Sequence, residues 1–339
     1  MRQKYPSESR IVPSELVKLS SLIGKNTSLV QGAGGNTSYK DFDNDILWVK
    51  ASGMWLANSD EENIFAALRL TDANRFIGQK KPKLIESTVI REINQLKPSI
   101  ETSLHIIMPH QFVAHTHSVS ALAWMIKKSV LPKLDILLEG IHWKYIPYAT
   151  PGYELTQKVL ACCNTLPEVL LLENHGIVTG ADTVEEMFSL IDRLESVLFL
   201  TDRKTPAPDI EALKNISRES DYTVPEFPSI HSLATDLLCY ELCCKGNIFP
   251  DQTVFLGPAI IPLESVGNLQ CCNCNLVLVK DKGVLIHKRT SKSGHYVAKC
   301  LSDVLRRINE KDVVRYLSQA SNIELIDCDA EVYRKAVDV

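Results

Sequence analysis

The stretch VQGAGGNTSYKD, Val30–Asp41, sets Gly32, Gly34 and Gly35 close together and follows them with small polar side chains. Glycine loops of this kind often wrap phosphates, because backbone N–H groups can converge on an anion there. Two common nucleotide folds are excluded at once. A dinucleotide fingerprint needs a third glycine where Thr37 stands, and a phosphate-binding P-loop needs a Gly-Lys-Ser/Thr run that is absent here. What remains is a generic anion cradle made of the nest plus Asn36, Thr37 and Ser38. Just beyond it, DILWVK (45–50) is rich in strand formers and stops at ASG. Lys50, Ser52 and Gly53 thus form a second small anion-compatible turn, although ordinary turn chemistry accounts for either stretch alone.

Outward from this loop the pattern is mixed α/β. Before it, SELVKLSSLI (14–23) puts Leu16, Leu19 and Ile23 on one helical face. After it, residues 84–95 carry a helical pattern, and Ser99 is an N-cap candidate for a helix running to Pro109. FVAHTHS (112–118) alternates like a strand. EVLLLENHGIVTG (168–180) reads as strand, polar turn, strand. The helix that follows opens with a capping box, Thr183 with Glu186, and presents Val184, Met187, Phe188, Ile191 and Leu194 as a core face. From Thr205 to Ser229 four prolines interrupt a charged segment, which is expected to be a linker. A smaller α/β unit should follow: a helix near 230–244, strands TVFLG and CNLVLVK, and the helix YVAKCLSDVLRRI. The expected organisation is a domain over 1–204, a linker over 205–229 and a C-terminal domain over 230–339.

Bulk properties exclude several classes. A net charge of −4 offers no field to attract nucleic acid or an acidic membrane. No apolar run approaches the ~20 residues that span a bilayer, and MRQKYPSESR lacks a signal-peptide core. Ten cysteines, several of them sequence neighbours, do not form a disulfide framework, so a cytoplasmic protein with reduced thiols is expected. Cys271, Cys272 and Cys274, with Cys239 and Cys243, lack the paired spacing of a zinc site and are expected as buried free thiols.

The chemistry-bearing residues are histidines. On a strand, His115 and His117 share a face with Cα atoms roughly 6.6 Å apart, so both could hold one metal. With nine histidines in the chain, about 0.24 such pairs arise by chance, so a partly exposed strand face is the default for the pair alone. His175 adds a third imidazole, at the end of an apolar strand beside Gly176, although a turn-capping histidine is an even alternative. Three histidines with an open position are the arrangement of a catalytic zinc. Glu101 lies in the first turn after Ser99; a carboxylate is favoured there by the helix dipole alone, and beside a metal it could serve as a general base. His105, one turn on, is expected to pack or to support rather than to ligate.

In this order, GAGGNTS, KASG, PSIE, AHTHS, IPYATPG and LLENHG resemble the class II aldolase/adducin family over roughly residues 14–203. FPDQTVFLGP further resembles a rhamnose-utilisation aldolase branch with an extra C-terminal unit. The resemblance implies a three-layer α/β/α domain around a mostly antiparallel sheet, with a smaller C-terminal α/β unit. It also implies a homo-oligomer, dimer or tetramer, with sites between subunits. It implies Zn2+ or another divalent metal on His115, His117 and His175, with Glu101 ligating the empty metal and then serving as base. Gly35, Asn36, Ser52, Gly53 and Ser99 would hold the phosphate of a small sugar or sugar phosphate.

Two positions depart from the family pattern. Ile100 replaces a second phosphate-binding serine, and Ile136 stands nearest the place of a tyrosine acid, with Tyr145, Tyr148 and Tyr153 the other tyrosines nearby. A sugar-phosphate epimerase or dehydratase on the same metal is therefore an alternative to the aldolase. A non-catalytic, adducin-like interaction module is a further alternative, against which the three retained histidines argue.

Overall fold

A computed structural model of the protein describes residues 11–265, 269 and 272–338. Its eleven strands among these residues are β1 (Asn36–Asp41), β2 (Ile46–Lys50), β3 (Phe65–Arg69), β4 (Phe112–Thr116), β5 (Trp143–Ile146), β6 (Val169–Leu172), β7 (Gly176–Ala181), β8 (Tyr222–Thr223), β9 (Ile261–Pro262), β10 (Leu276–Val279) and β11 (Gly283–His287). They form a seven-stranded sheet ordered β3-β2-β1-β4-β7-β6-β5 and a four-stranded sheet ordered β8-β11-β10-β9. Contacts group the chain into two compact units. One comprises the chain up to Thr116, Leu138–Leu172 and Ile177–Ser196; the other comprises His117–Leu137, Glu173–Gly176 and the chain from Val197 onward.

The first unit is built on the larger sheet. Its pairings β2–β3, β1–β2, β1–β4 and β4–β7 are antiparallel, and β5–β6 is parallel. Helix α1 (Ser14–Lys25) covers one face with Leu16, Leu19 and Ile23, against Trp48 and Ala114. The helices α2 (Leu70–Gly78) and α3 (Thr102–Ile107) cover the other face, where Leu47, Val49 and Val113 point. After α4 (Val119–Met125) and α5 (Leu131–Leu137), which belong to the second unit, α6 (Tyr153–Cys162) joins α3 on that second face. Helix α7 (Val184–Val197) joins α1 on the first. Helix, sheet, helix is therefore the layering, as the resemblance implied. Period-two burial drives it: successive residues of β2 and β4 bury on opposite faces, and each buried aliphatic side chain contributes ~1.5–3 kcal/mol.

Local signals were realised unevenly. The capping box of α7 closes reciprocally: Thr183 N donates to Glu186 Oε2 at 3.0 Å, and Glu186 N donates to Thr183 Oγ1 at 3.2 Å. The helical pattern at 84–95 becomes only a 3-10 turn over Pro82–Thr88. The helix after Ser99 is a short one, Thr102–Ile107, with Glu101 at its N-cap position.

In the second unit, residues 205–229 carry elements of their own. Helix α8 (Ile210–Ser217) buries Leu213 against Val277, Val279 and Leu285, and β8 pairs antiparallel with β11. The helix expected near 230–244 is divided into α9 (Ser232–Thr235) and α10 (Leu237–Lys245), the latter capped by Asp236, whose side chain accepts from Cys239 N. The stretch TVFLG is not a strand. Gln252–Leu256 is a π-helical turn whose side chains are all buried, and a short apolar run without periodicity cannot distinguish the two. Helix α11 (Lys292–Leu305) starts at an Ser291 N-cap, and α12 (Gln319–Asp327) and α13 (Asp329–Ala336) follow. No helix among the described residues is long and apolar enough to cross a membrane.

Candidate metal centre

The glycine loop acts first as a backbone device. Gly35 adopts φ +59°, and a Cβ there would lie 2.9 Å from the His115 carbonyl oxygen and 3.0 Å from Val30 Cγ2. Only glycine allows that turn and that approach together. The loop thereby delivers Asn36 into register with His115 across the β1–β4 pairing. Lys50 does not wait for an anion. Its buried ammonium donates to the carbonyls of Ala33 and Gly35 at 2.7 Å each, which ties the loop to β2.

Alternation along β4 then sets the site. Ala114 packs with α1 and α7, and Val113 packs with α3 and α6. His115 therefore falls on the α3 side, where Glu101 Oε2 lies 3.4 Å from His115 Nε2. On that same side, Asn36 Nδ2 donates to Glu101 Oε2 at 2.8 Å. Glu101 accepts, so the amide oxygen of Asn36 must face His105, which it contacts at Nε2. His105 Nδ1 lies 2.7 Å from Ser38 Oγ. Burial pushes the His105 imidazole down to about 3, against the opposing influence of Glu101, so the ring is neutral. With Nε2–H donating to Asn36, Nδ1 accepts from Ser38. A relay of hydrogen bonds from Ser38 through His105 and Asn36 thus orients the Glu101 carboxylate, and His105 supports rather than ligates.

The histidines converge. Thr116 pairs with Ile177 at the ends of β4 and β7, so His117 and His175 emerge from neighbouring strand ends. His115, His117 and His175 are all buried, and their available ligand atoms lie within 4.8 Å of one another. The rings of His117 and His175 have centroids 5.5 Å apart. Two of the three are already oriented. His115 Nδ1 faces the Ile177 carbonyl at 3.0 Å, and His117 Nδ1 faces Asp251 Oδ2 at 3.1 Å. His115 Nδ1 thus donates to that carbonyl, and His117 Nδ1 stands at ion-pair distance from that carboxylate; a proton on each Nδ1 is the tautomer that a metal at Nε2 needs. The donor set suits a borderline divalent ion such as Zn2+. Among the described residues it is the one cluster of histidine, cysteine or acidic side chains with metal-binding geometry. The described cysteines are free, and burial drives the Cys239 thiol up to about 12. Cys271 lies outside the described residues.

Among the remaining candidates, Ser99 is in contact with Glu101. Ser99 is half-buried; its Oγ accepts from Glu101 N at 3.3 Å and lies 3.4 Å from Asn36 Nδ2. Ser99 N donates to the Lys50 carbonyl, which brings the PSIE and KASG stretches together. Ser52 is half-buried next to Gly53, which takes φ +79°. Ile136, at the place of the expected tyrosine, is 76% exposed on α5. The residue that sequence reading missed is Asp251, which is buried beside His117. Its only signal was its place in FPDQTVF, where nothing pointed to a histidine.

The family model for the class II aldolase and adducin N-terminal domain matches residues 14–200. The chain belongs to this family. Among family relatives, an uncharacterized oxidoreductase, YuxG, of Bacillus subtilis is 29% identical over 209 residues, covering 56% of this chain and 30% of that protein. The chain thus spans under a third of that relative's length. An L-fuculose phosphate aldolase of Methanococcus maripaludis is 29% identical over 189 residues, covering 54% of this chain and 92% of that one. Among solved structures, the N-terminal class II aldolase domain of a conserved Thermoplasma acidophilum protein is 26% identical with a TM-score of 0.46, covering 58% of this chain and 95% of that domain.

Proposed function

We propose that this chain is an aldolase-type lyase that depends on Zn2+ or another divalent metal and acts on a small sugar or sugar phosphate. The observation that carries the reading is the convergence of three buried imidazoles, two with Nδ1 beside an oxygen acceptor, with a carboxylate 3.4 Å from one of them. Family membership and the fuculose-phosphate aldolase relatives support the same reading. His115, His117 and His175 would hold the metal, which when bound supplies Lewis acidity to oxygens beside the reacting carbon. Glu101 takes and returns the substrate proton, and Asn36 keeps its carboxylate aimed. Gly35, Ser52, Gly53 and Ser99 hold the anionic tail, so the reacting bond is presented in one orientation. Asn36, committed to Glu101 and His105, contributes to that tail through its place beside Ser99. We place the protein in the cytoplasm as a homo-oligomer, dimer or tetramer.

The exposed Ile136 in place of a tyrosine acid favours a second reading on the same centre, epimerisation or dehydration of a sugar phosphate. Metal analysis of protein purified without chelator, followed by product analysis with ketose phosphates, tests both. Bound zinc and two carbonyl fragments are expected. An isomeric phosphate or a lost water would replace the lyase with the second reading. No divalent metal, and no activity after metal is added, would leave an adducin-like interaction module.

A further inference from the structure

The stretch FPDQTVF has a use that the proposed chemistry leaves open. Asp251 is 4% exposed, and its two carboxylate oxygens are divided between two partners. Oδ2 faces His117 Nδ1 at 3.1 Å, and Oδ1 pairs with Arg334 of α13. Arg334 is itself clamped: its Nε lies 2.7 Å from Glu331 Oε2, and its guanidinium carbon lies 5.0 Å from the centre of the Phe255 ring. Asp251 caps, and Phe255 lies within, one π-helical turn, a feature that often marks functional positions.

Burying a carboxylate this deeply against a partly buried guanidinium is a poor way to gain stability, since well-packed apolar residues usually do as well or better. The arrangement makes sense when the carboxylate is needed for its lone pair. An acceptor at Nδ1 favours the proton there and fixes the ring plane. Carboxylates in this position raise the basicity of a metal-bound imidazole, and their loss typically weakens metal affinity 10–100-fold.

We infer that Asp251 is a positioning residue for His117, held in place by Arg334, so that α13 sets the geometry of one metal ligand. The inference rests on the metal reading above and deepens it. It assigns α13 and the FPDQ turn a role in metal retention rather than in contact with substrate.

The test is zinc affinity, measured by competition with a chromophoric chelator on full-length protein stripped and reloaded with Zn2+. Asp251→Asn is expected to bind zinc 10–100-fold more weakly than the parent while keeping the parent circular dichroism. Asp236→Asn breaks a different ion pair, Arg203 with Asp236, and serves as the control for general destabilisation; it should retain parent affinity. An Asp251→Asn protein that holds zinc within about twofold of the parent, while His117→Ala loses it, would overturn the inference and leave the metal reading intact. A parent protein that binds no zinc would overturn both. Should Asp251→Asn fail to fold, the metal-free parent still decides. Long-range 15N–1H correlation should find His117 with its proton on Nδ1, and a proton on Nε2 would refute the inference.

Discussion

Replacing Gly35 with alanine probes whether the glycine loop sets the position of His115. The new Cβ would stand 2.9 Å from the His115 carbonyl oxygen and 3.0 Å from Val30 Cγ2. Ordinary contacts for such pairs are about 3.3–4.0 Å, so strand or side chain must yield by roughly 0.4 Å or more. A left-handed φ adds about 1–2 kcal/mol for a residue with a Cβ, and forced overpacking about 1–3 kcal/mol. The sum, about 2–5 kcal/mol, corresponds to a melting temperature lowered by roughly 5–15 °C for a unit of this size. The strain falls on the strand that carries His115, so zinc affinity should fall as well. Gly78→Ala is the matched control. A Cβ there meets nothing within 4 Å at the end of α2, so the change should stabilise slightly, by about 0.4–1 kcal/mol. Thermal denaturation of both variants without metal, and a zinc titration of each, decide the matter. Gly35→Ala melting within about 1 °C of the parent would refute the close-approach argument, because neither source of strain could then be present.

Other expectations follow from the same geometry. Glu101→Gln should keep zinc but lower turnover by about 10²–10⁴-fold, seen as unchanged metal content beside lost product formation. Zinc added to stripped protein should stabilise the fold by about 2.7 kcal/mol at roughly a hundredfold excess over the dissociation constant, seen as a higher melting temperature, and His115→Ala should abolish the rise. Stability should decline as pH falls below about 6.5: His105 is pushed down to about 3 in the fold, so between those values the unfolded chain binds a proton that the native one does not. Burial also lowers His110 and His231, which steepens the decline. Urea unfolding at pH 7 and pH 5 measures it, and equal stability at the two pH values would contradict a neutral, buried His105.

Much of the larger sheet and its surroundings was legible along the chain. The capping box at Thr183, the alternation of β2 and β4, and the strand–turn–strand around His175 are patterns among near neighbours, and near neighbours decide local conformation. The three histidines and Glu101 were visible as residue types in order, and the family resemblance gave that order its meaning. Other features were hidden for a common reason. TVFLG carries the composition of a strand yet forms a π-helical turn, because burial on every side erases the periodicity that distinguishes them. Residues 205–229 look like a linker until Leu213 and β8 find partners in later strands. Lys50 reads as an anion binder, but its ammonium donates to the carbonyls of the glycine loop.

By itself the sequence determined the elements, the chemistry available and the order in which that chemistry arrives. The tertiary structure alone decided which side chains share a partner: Glu101 with Asn36 and His115, and His117 with Asp251 and, behind it, Arg334. Hydrogen bonds and ion pairs depend on distances of about 3 Å between atoms that the chain keeps far apart, and no propensity or spacing encodes those distances until the backbone has closed.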